Sequence, residues 1–474
     1  MNLLTALRLT NFSAKPCIAL VGSGGKSTLM FRLGSELAAA GRQTLLTTTT
    51  MIWARQMDVA PFAVTSASEH LLASELAVAL RAYSQVLALA GPADEAGKMR
   101  GIPPETVCQL AELPDVQAVV VEADGSRERP LKAPAEHEPV IPSCATHVIS
   151  VVGMAVLGKP LNADWVHRPE RVARLTGLSI SDGITPDAVA RLAVHPDGGL
   201  KGHPPGKQSL LYLNLMGSET PADLDAARQI ARAVLRHPTS GRAYQSVLIG
   251  SAAGNEPVAE AHGRVTGVIL AAGRGSRLTG DLPKPLLPWD GDTLVGHVAA
   301  TALASEGLDD VLVVTGYQAE RIAAALAGRP VRVVHNPAWV EGQSSSVRAA
   351  MEALSPDVGA ALFLLSDQPA VSAATIDALV TAHRRSLAPV VAPLYRGGQR
   401  GNPVLFDRAT FAELAALTGD AGGRTLLESY GDRVQYVPID QPQPQGIETW
   451  EDYRLFVAGA YESPAISLAR PARP

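Results

Sequence analysis

The sequence predicts an α/β protein of two doubly wound domains with mainly parallel sheets, and three observations carry that prediction. Apolar β-branched runs alternate with helical patterns along most of the 474 residues. A chain of that length exceeds what one ordinary core fills. A stretch with neither period, GSAAGNEPVAEAHG at 250–263, interrupts the alternation as a Gly/Ala/Pro-rich linker. The expected division is therefore a domain over 1–252, a linker over 253–264 and a second domain over 265–474.

In the first half, strands are expected at 17–21, 44–49, 116–122, 147–152, 210–214 and 246–250, with helices at 29–40 and 224–235. In the second half, strands are expected at 265–270, 310–315, 331–335, 360–365 and 389–393, with helices at 294–305 and 373–384. Each half opens with a strand, a glycine-rich turn and a helix, but the two turns differ in pattern and do not make a repeat.

Composition narrows the function. Hydrophobic residues make up 46% and charged residues 18%, which describes a globular chain rather than a disordered one. A net charge of −5 and an aromatic fraction of 4% offer neither a basic field nor stacking platforms, so nucleic acid and anionic membrane are excluded as partners. The longest uncharged stretch, 140–158, is broken by Pro142, His147 and Gly153 and reads as loop and strand rather than a span. No secretory signal opens the chain. Cys17, Cys108 and Cys144 are scattered without CxxC spacing, which speaks against a disulfide framework and a zinc site and fits a cytoplasmic protein.

Residues 265–277 read VTGVILAAGRGSR, and PKPL follows at 283–286. Ala271, Ala272, Gly273, Arg274 and Gly275 come directly off an apolar strand, where small residues let backbone N–H groups approach an anion. Arg274 and Arg277 can fork onto phosphate oxygens and Lys284 can act as a point charge. Asp367, at the end of another apolar strand, suits Mg²⁺, a hard cation that takes carboxylate and phosphate oxygens; the alternative is a helix N-cap.

This constellation resembles the MobA-like nucleotidyltransferases, closest to their molybdenum cofactor cytidylyltransferase branch. Further blocks fall in the family's order: NPAW at 336–339, GQSSSV at 342–347, LSDQP at 365–369, GNPVLF at 401–406 and GDAGGR at 419–424. The resemblance covers about 265–458. It implies a Rossmann-like domain that moves CMP from CTP onto molybdopterin or the molybdenum cofactor, with Mg²⁺ and loss of pyrophosphate. It assigns Lys284, Arg277 and Asp367 to catalysis, and Gly342, Ser344 and Ser346 to the base or acceptor. Ala271-Ala272-Gly273 goes with cytidine nucleotides in that family. Two positions depart from it. Asn402 replaces a histidine, and Gly446-Ile447-Glu448 replaces D-I-D, leaving Glu448 as the candidate second metal carboxylate. Asp420 is read equally as functional or as an N-cap.

Residues 17–28 read CIALVGSGGKST. Gly22, Gly25, Lys26 and Ser27 supply a phosphate cradle of backbone donors, a lysine and a hydroxyl for Mg²⁺, in a shortened G-x-x-G-K-S form. The strand ending at Glu122 and Asp124 reads as its acidic counterpart, so Ser27 and Glu122 are the metal candidates and ATP or GTP the expected ligand. Asn214 lacks the following residues of a guanine-reading loop. The blocks TTTT at 47–50, EADGS at 122–126, KAPAEHEP at 132–139 and HR at 167–168 resemble the selenium-dependent hydroxylase accessory family of YqeC type, over about 10–250. His137, between two glutamates, is a ligand or, more simply, part of a solvated turn.

Together these expectations describe a fusion serving molybdenum hydroxylase maturation, with an apo hydroxylase as a partner. A sugar-phosphate nucleotidyltransferase and a non-catalytic cofactor chaperone are the alternatives.

Overall fold

A computed structural model describes residues 1–9, 15–216, 220–237, 243–275, 277–278, 281–419 and 423–458, without the Arg424 side chain; Asp420 lies outside the described residues. The chain forms two compact units, Met1–His262 and Gly263–Pro474.

The main-sheet strands of the first unit are β1 (Cys17–Gly22), β2 (Thr44–Thr48), β3 (Ala63–Thr65), β4 (Gln85–Leu89), β5 (Ala118–Glu122), β6 (His147–Gly153), β7 (Gln208–Asn214), β8 (Ser246–Gly250) and β9 (Glu260–His262). They form one sheet in the order β9-β8-β7-β6-β1-β5-β2-β4-β3. All pairs are parallel except β8 with β9. Such strands are covered on both faces and therefore read as unbroken apolar runs. The helices used below are α1 (Lys26–Ala39), α2 (Pro104–Ala111), α3 (Pro169–Thr176) and α4 (Pro221–Arg236). Ala19 and Val21 pack with Val107 of α2 on one face, while Leu211, Leu213, Val247 and Ile249 pack with Ile230 and Val234 of α4. Each such aliphatic side chain contributes about 1.5–3 kcal/mol on full burial. The chain crosses over on both sides of β1, which makes the carboxyl end of that strand a switch point where doubly wound sheets bind ligands.

The second unit has β10 (Arg264–Ala271), β11 (Asp310–Thr315), β12 (Arg332–His335), β13 (Val358–Leu365), β14 (Val390–Tyr395), β15 (Gln399–Arg400), β16 (Val404–Asp407) and β17 (Val434–Ile439). Their order is β12-β11-β10-β13-β16-β14-β15, with β17 also pairing β14. The sheet is parallel from β12 to β13, and β16 runs antiparallel to both its neighbours. Helices α5 (Leu294–Ala304), α6 (Gln343–Ala353) and α7 (Ala373–Ser386) sandwich it. Successive side chains of β10 face opposite ways. Ile269 meets Val295 of α5 and Ile376 of α7, and Val268 meets Val347 and Ala350 of α6. Ser372 caps α7 by accepting from the Thr375 N–H at 3.2 Å, and basic residues fill the last turn, as the helix dipole favours.

The fold class is the one the sequence predicts. The stretch 253–264 differs from the linker expected of it, because 260–262 forms the buried edge strand β9 of the first unit and β10 begins at Arg264. Strands β3, β4, β15, β16 and β17 are additions to those expected. The cysteines, scattered in sequence, gather in space: Cys17 Sγ lies 3.8 Å from Cys144 Sγ, and Cys108 Sγ accepts from the Cys144 N–H at 3.2 Å. No helix among the described residues is long and apolar enough to cross a membrane.

Candidate functional site

In the first unit, register sets the site. Leu20 pairs with Glu122, so Gly22 stands beside Asp124 and its N–H donates to Asp124 Oδ2 at 2.9 Å. Gly25, at φ +128°, precedes α1, and a Cβ there would stand 2.2 Å from Asn214 Nδ2; only glycine fits. Asn214 donates to Gly24 O at 2.7 Å and accepts from Ala252 N–H at 3.1 Å, so its amide is spent on bracing the loop. Lys26 Nζ donates to Gly22 O at 2.7 Å and stands 3.2 Å from Asp124 Oδ1 and 3.6 Å from Glu122 Oε1. Ser27 Oγ donates to Glu122 Oε2 at 2.8 Å.

The ion pairs continue past the loop. Lys132 Nζ donates to Asp124 Oδ2 and Glu138 Oε2, both at 2.9 Å, and to Gly125 O at 2.6 Å. Arg168, before α3, donates to Glu138 Oε2 at 2.9 Å. Glu122, Lys26, Asp124, Lys132, Glu138 and Arg168 thus alternate in sign along one formally neutral chain. Neutrality matters because Asp124 is 1% and Lys26 3% exposed, where an unpaired charge is costly.

The titration shifts follow the same balance. Burial pulls the Lys26 ammonium down, but Asp124 and Glu122 outweigh it and its pKa stands raised. Burial pushes Glu122 up, and Lys26 and Ser27 offset only part of that. Glu138 feels burial too, yet Lys132 and Arg168 outweigh it and hold the carboxyl at about 2. His167 is pulled down to about 4 by burial and by Arg168.

In the second unit, Leu270 pairs with Leu365, which sets the turn after β10 beside Ser366 and Asp367. A cleft with a volume of about 430 Å³ opens there, lined by Gly273, Arg274, Gly275, Lys284, Gly342, Ser346 and Asp367 among others. Lys284 Nζ pairs with Asp367 Oδ2. Among the described residues, Asp367 Oδ1 is buried without a hydrogen-bond partner. Gly275, at φ +67°, lets the lysine stem pass: a Cβ would stand 2.9 Å from Lys284 Cβ. Arg274 lies over the Tyr317 ring, 5.4 Å from its centroid. Asn336 Nδ2 donates to Ser345 Oγ at 2.8 Å and Ser346 Oγ at 3.0 Å, fixing the start of α6 where Gly342 and Ser346 face the cleft.

The 446–447 segment presents backbone to Asp367. The Ile447 N–H donates to Asp367 O at 3.0 Å, and a Cβ on Gly446 would stand 3.7 Å from Asp367 Oδ2. Among the described residues no three His, Cys, Asp or Glu side chains gather as a metal cage. The donor set therefore fits Mg²⁺ only as an ion held by one carboxylate, its remaining positions taken by phosphate oxygens and water.

A family model described as MobA-like NTP transferase domain matches residues 267–434, and one described as YqeC protein matches 18–170. YqeC of Escherichia coli (strain K12) is 33% identical over 207 residues, covering 42% of this chain and 75% of that protein. Nicotine blue oxidoreductase of Paenarthrobacter nicotinovorans is 36% identical over 198 residues, covering 40% of this chain and 96% of that one. The chain belongs to the YqeC family in its first unit and to the MobA-like NTP transferases in its second. Among solved structures, the homolog of Mycobacterium tuberculosis Rv0371c from Mycobacterium sp. strain JC1 is 31% identical, covering 41% of this chain and 96% of that one, at a TM-score of 0.38.

The NTP transferase unit brings Gly273, Arg274, Gly275, Lys284, Gly342, Ser346 and Asp367 to one cleft. It leaves others apart. Ala271 and Ala272 are buried, because Ala271 completes β10 and the Ala272 carbonyl accepts from Tyr317 N–H at 3.0 Å. Ser344 is fully buried and donates to Gly419 O, so its hydroxyl is not offered to a ligand. Arg277 and Glu448 pair with each other at the surface, 70% and 57% exposed, and the Glu448 carboxylate is engaged there rather than at Asp367. In the YqeC unit, Gly22, Gly25, Lys26, Ser27 and Glu122 converge. His137 is exposed, and its neighbour Glu138 enters the ion chain instead. Lys132, Glu138 and Arg168 are visible in sequence only as family blocks, and nothing in their spacing signals that they are partners.

Proposed function

We propose that the NTP transferase unit transfers CMP from CTP to molybdopterin or the molybdenum cofactor with release of pyrophosphate. The observation that supports this most is the Lys284–Asp367 pair at the floor of an open glycine-walled cleft, where one carboxylate oxygen lacks a partner. Backbone N–H groups of 273–275 would cradle the phosphates, with Arg274 and Lys284 neutralising their charge. Lys284 would leave Asp367 for the triphosphate as the nucleotide enters, freeing the carboxylate to hold Mg²⁺. When bound, that ion supplies charge neutralisation at the α-phosphate. The protein mainly positions the acceptor phosphate in line with the leaving pyrophosphate, and no covalent intermediate is required. Gly342 and Ser346 border the place for base or acceptor.

The YqeC unit would hold ATP or GTP on Gly22–Ser27, with Ser27 and Glu122 toward Mg²⁺ and Lys26 moving from the carboxylates to the phosphates. An apo molybdenum hydroxylase is the proposed protein partner. The test is pyrophosphate release with Mg²⁺ and molybdopterin, comparing CTP, GTP and ATP. CTP-selective release is expected; folded protein releasing none from any nucleotide would overturn the assignment. The name of the Paenarthrobacter relative favours a second reading, an oxidoreductase whose glycine turn holds a dinucleotide. Substrate reduction without pyrophosphate release would establish it.

A further inference from the structure

The three cysteines meet at the end of the YqeC unit opposite its glycine loop. Cys17 opens β1 and Gly22 closes it, so the strand separates the two places by roughly 17 Å at about 3.3 Å per residue. The backbone around the thiols is fixed: Thr146 N–H donates to Cys17 O at 2.8 Å, and Cys17 N–H donates to Thr146 Oγ1 at 3.0 Å. Cys144 lies two residues before Thr146, which brings its Sγ to 3.8 Å from Cys17 Sγ. Cys108, from α2, meets the Cys144 N–H at 3.2 Å and Ser143 Oγ at 3.6 Å. All three are free thiols; Cys17 is buried, and Cys144 and Cys108 are half-buried.

We propose that Cys144 is a thiol-exchange site that reacts with low-molecular-weight disulfides and is resolved by Cys17. The Cys144 thiolate attacks one sulfur of R–S–S–R, forming a mixed disulfide and expelling R–S⁻. Cys17 then gives up its proton and attacks Cys144 Sγ, forming the Cys17–Cys144 disulfide and expelling the second R–S⁻. Two protein thiols are oxidised and one small disulfide is reduced to two thiols. The S–S separation must close from 3.8 Å to about 2.05 Å.

Electrostatics assigns the roles. The contact with the Cys144 thiol, together with burial, raises Cys17 well above the usual thiol range. The same contact, joined by Cys108, lowers Cys144. The attacking group is thus the more exposed and more acidic thiol, as exchange requires. Cys108 Sγ also touches the Cys144 thiol but accepts from the Cys144 N–H at 3.2 Å, which leaves Cys17, 3.8 Å from Cys144 Sγ, as the resolving thiol.

The test uses the reduced full chain with excess glutathione disulfide near neutral pH, alkylation of remaining thiols and peptide mass mapping. A linked Cys17–Cys144 peptide with Cys108 alkylated is expected. Cys17→Ser should stop at Cys144 carrying one glutathione, and Cys144→Ser should leave Cys17 unmodified. Far-UV circular dichroism checks that each variant is folded, and the peptide map of the unmutated chain decides the matter even if a variant fails to fold. Glutathione confined to Cys108, a Cys108–Cys144 bond, or three alkylated cysteines in the folded unmutated chain would each overturn the proposal.

Discussion

Asp124 and Asp367 occupy equivalent places in the two units and live in opposite surroundings. Each stands two residues beyond the partner of the first strand: Leu20 pairs with Glu122 and Leu270 with Leu365. Each meets a lysine beside a glycine turn. Asp124, however, is 1% exposed and shared between Lys26, Lys132 and the Gly22 N–H. The Asp367 side chain is 22% exposed, pairs with Lys284 and lines an open cleft; in both aspartates one buried oxygen lacks a hydrogen-bond partner among the described residues. One device thus yields a buried, neutral array in the YqeC unit and a partly open charge pair in the NTP transferase unit. A buried pair costs stability when broken, whereas a half-open one costs function.

Removing the lysines should affect the two units differently. Lys132→Met leaves Asp124 and Glu138 without their shared cation and should destabilise the YqeC unit by about 3–5 kcal/mol in urea unfolding. A change below about 1 kcal/mol would mean the array is not stabilising. Lys284→Met should cost under about 1 kcal/mol of stability but lower nucleotidyl transfer about 10²-fold; steady-state rates beside an unfolding curve separate the two.

A smaller effect concerns acid. Glu138 is held at about 2 against a usual 4.5, so its folded-state pKa is depressed. Its contribution is full above about 4.5 and is lost as pH falls toward about 2. The stability gap between the unmutated chain and Glu138→Gln should therefore narrow across that window; a constant gap would contradict the pairing. The smallest expected change is a gain. Gly446→Asp places a carboxylate beside Asp367, where a Cβ has 3.7 Å of room, and should lower the half-saturating Mg²⁺ several-fold. An unchanged Mg²⁺ requirement would show that one carboxylate suffices.

Much of the NTP transferase cleft is legible in sequence because its parts are local. A strand, a glycine turn and PKP lie within some twenty residues, and Asp367 ends an apolar run that any periodicity reading finds. Ser344 misleads since a serine's direction depends on which face of α6 meets the core. Glu448 misleads for a similar reason, as Arg277 is 171 residues away in sequence. The ion chain of the YqeC unit is not legible, because register places Gly22 beside Asp124, and a short parallel pairing of 131–132 with 166–167 then brings Lys132 and Arg168 to Glu138. Strand β4 follows a helix after only Tyr83 and Ser84, too short a break to read. The thiol cluster needs the pairing of β1 with β6 and the position of α2, neither of which the cysteine spacing reveals.

The most direct test follows α-phosphate-labelled CTP into molybdopterin in three full-length chains: unmutated, Asp367→Asn and Lys26→Ala. Labelled acceptor is expected from the first, loss of about 10²-fold or more in the second, and transfer retained in the third. Transfer that survives Asp367→Asn, or disappears in a folded Lys26→Ala chain, would contradict the division of labour between the two units.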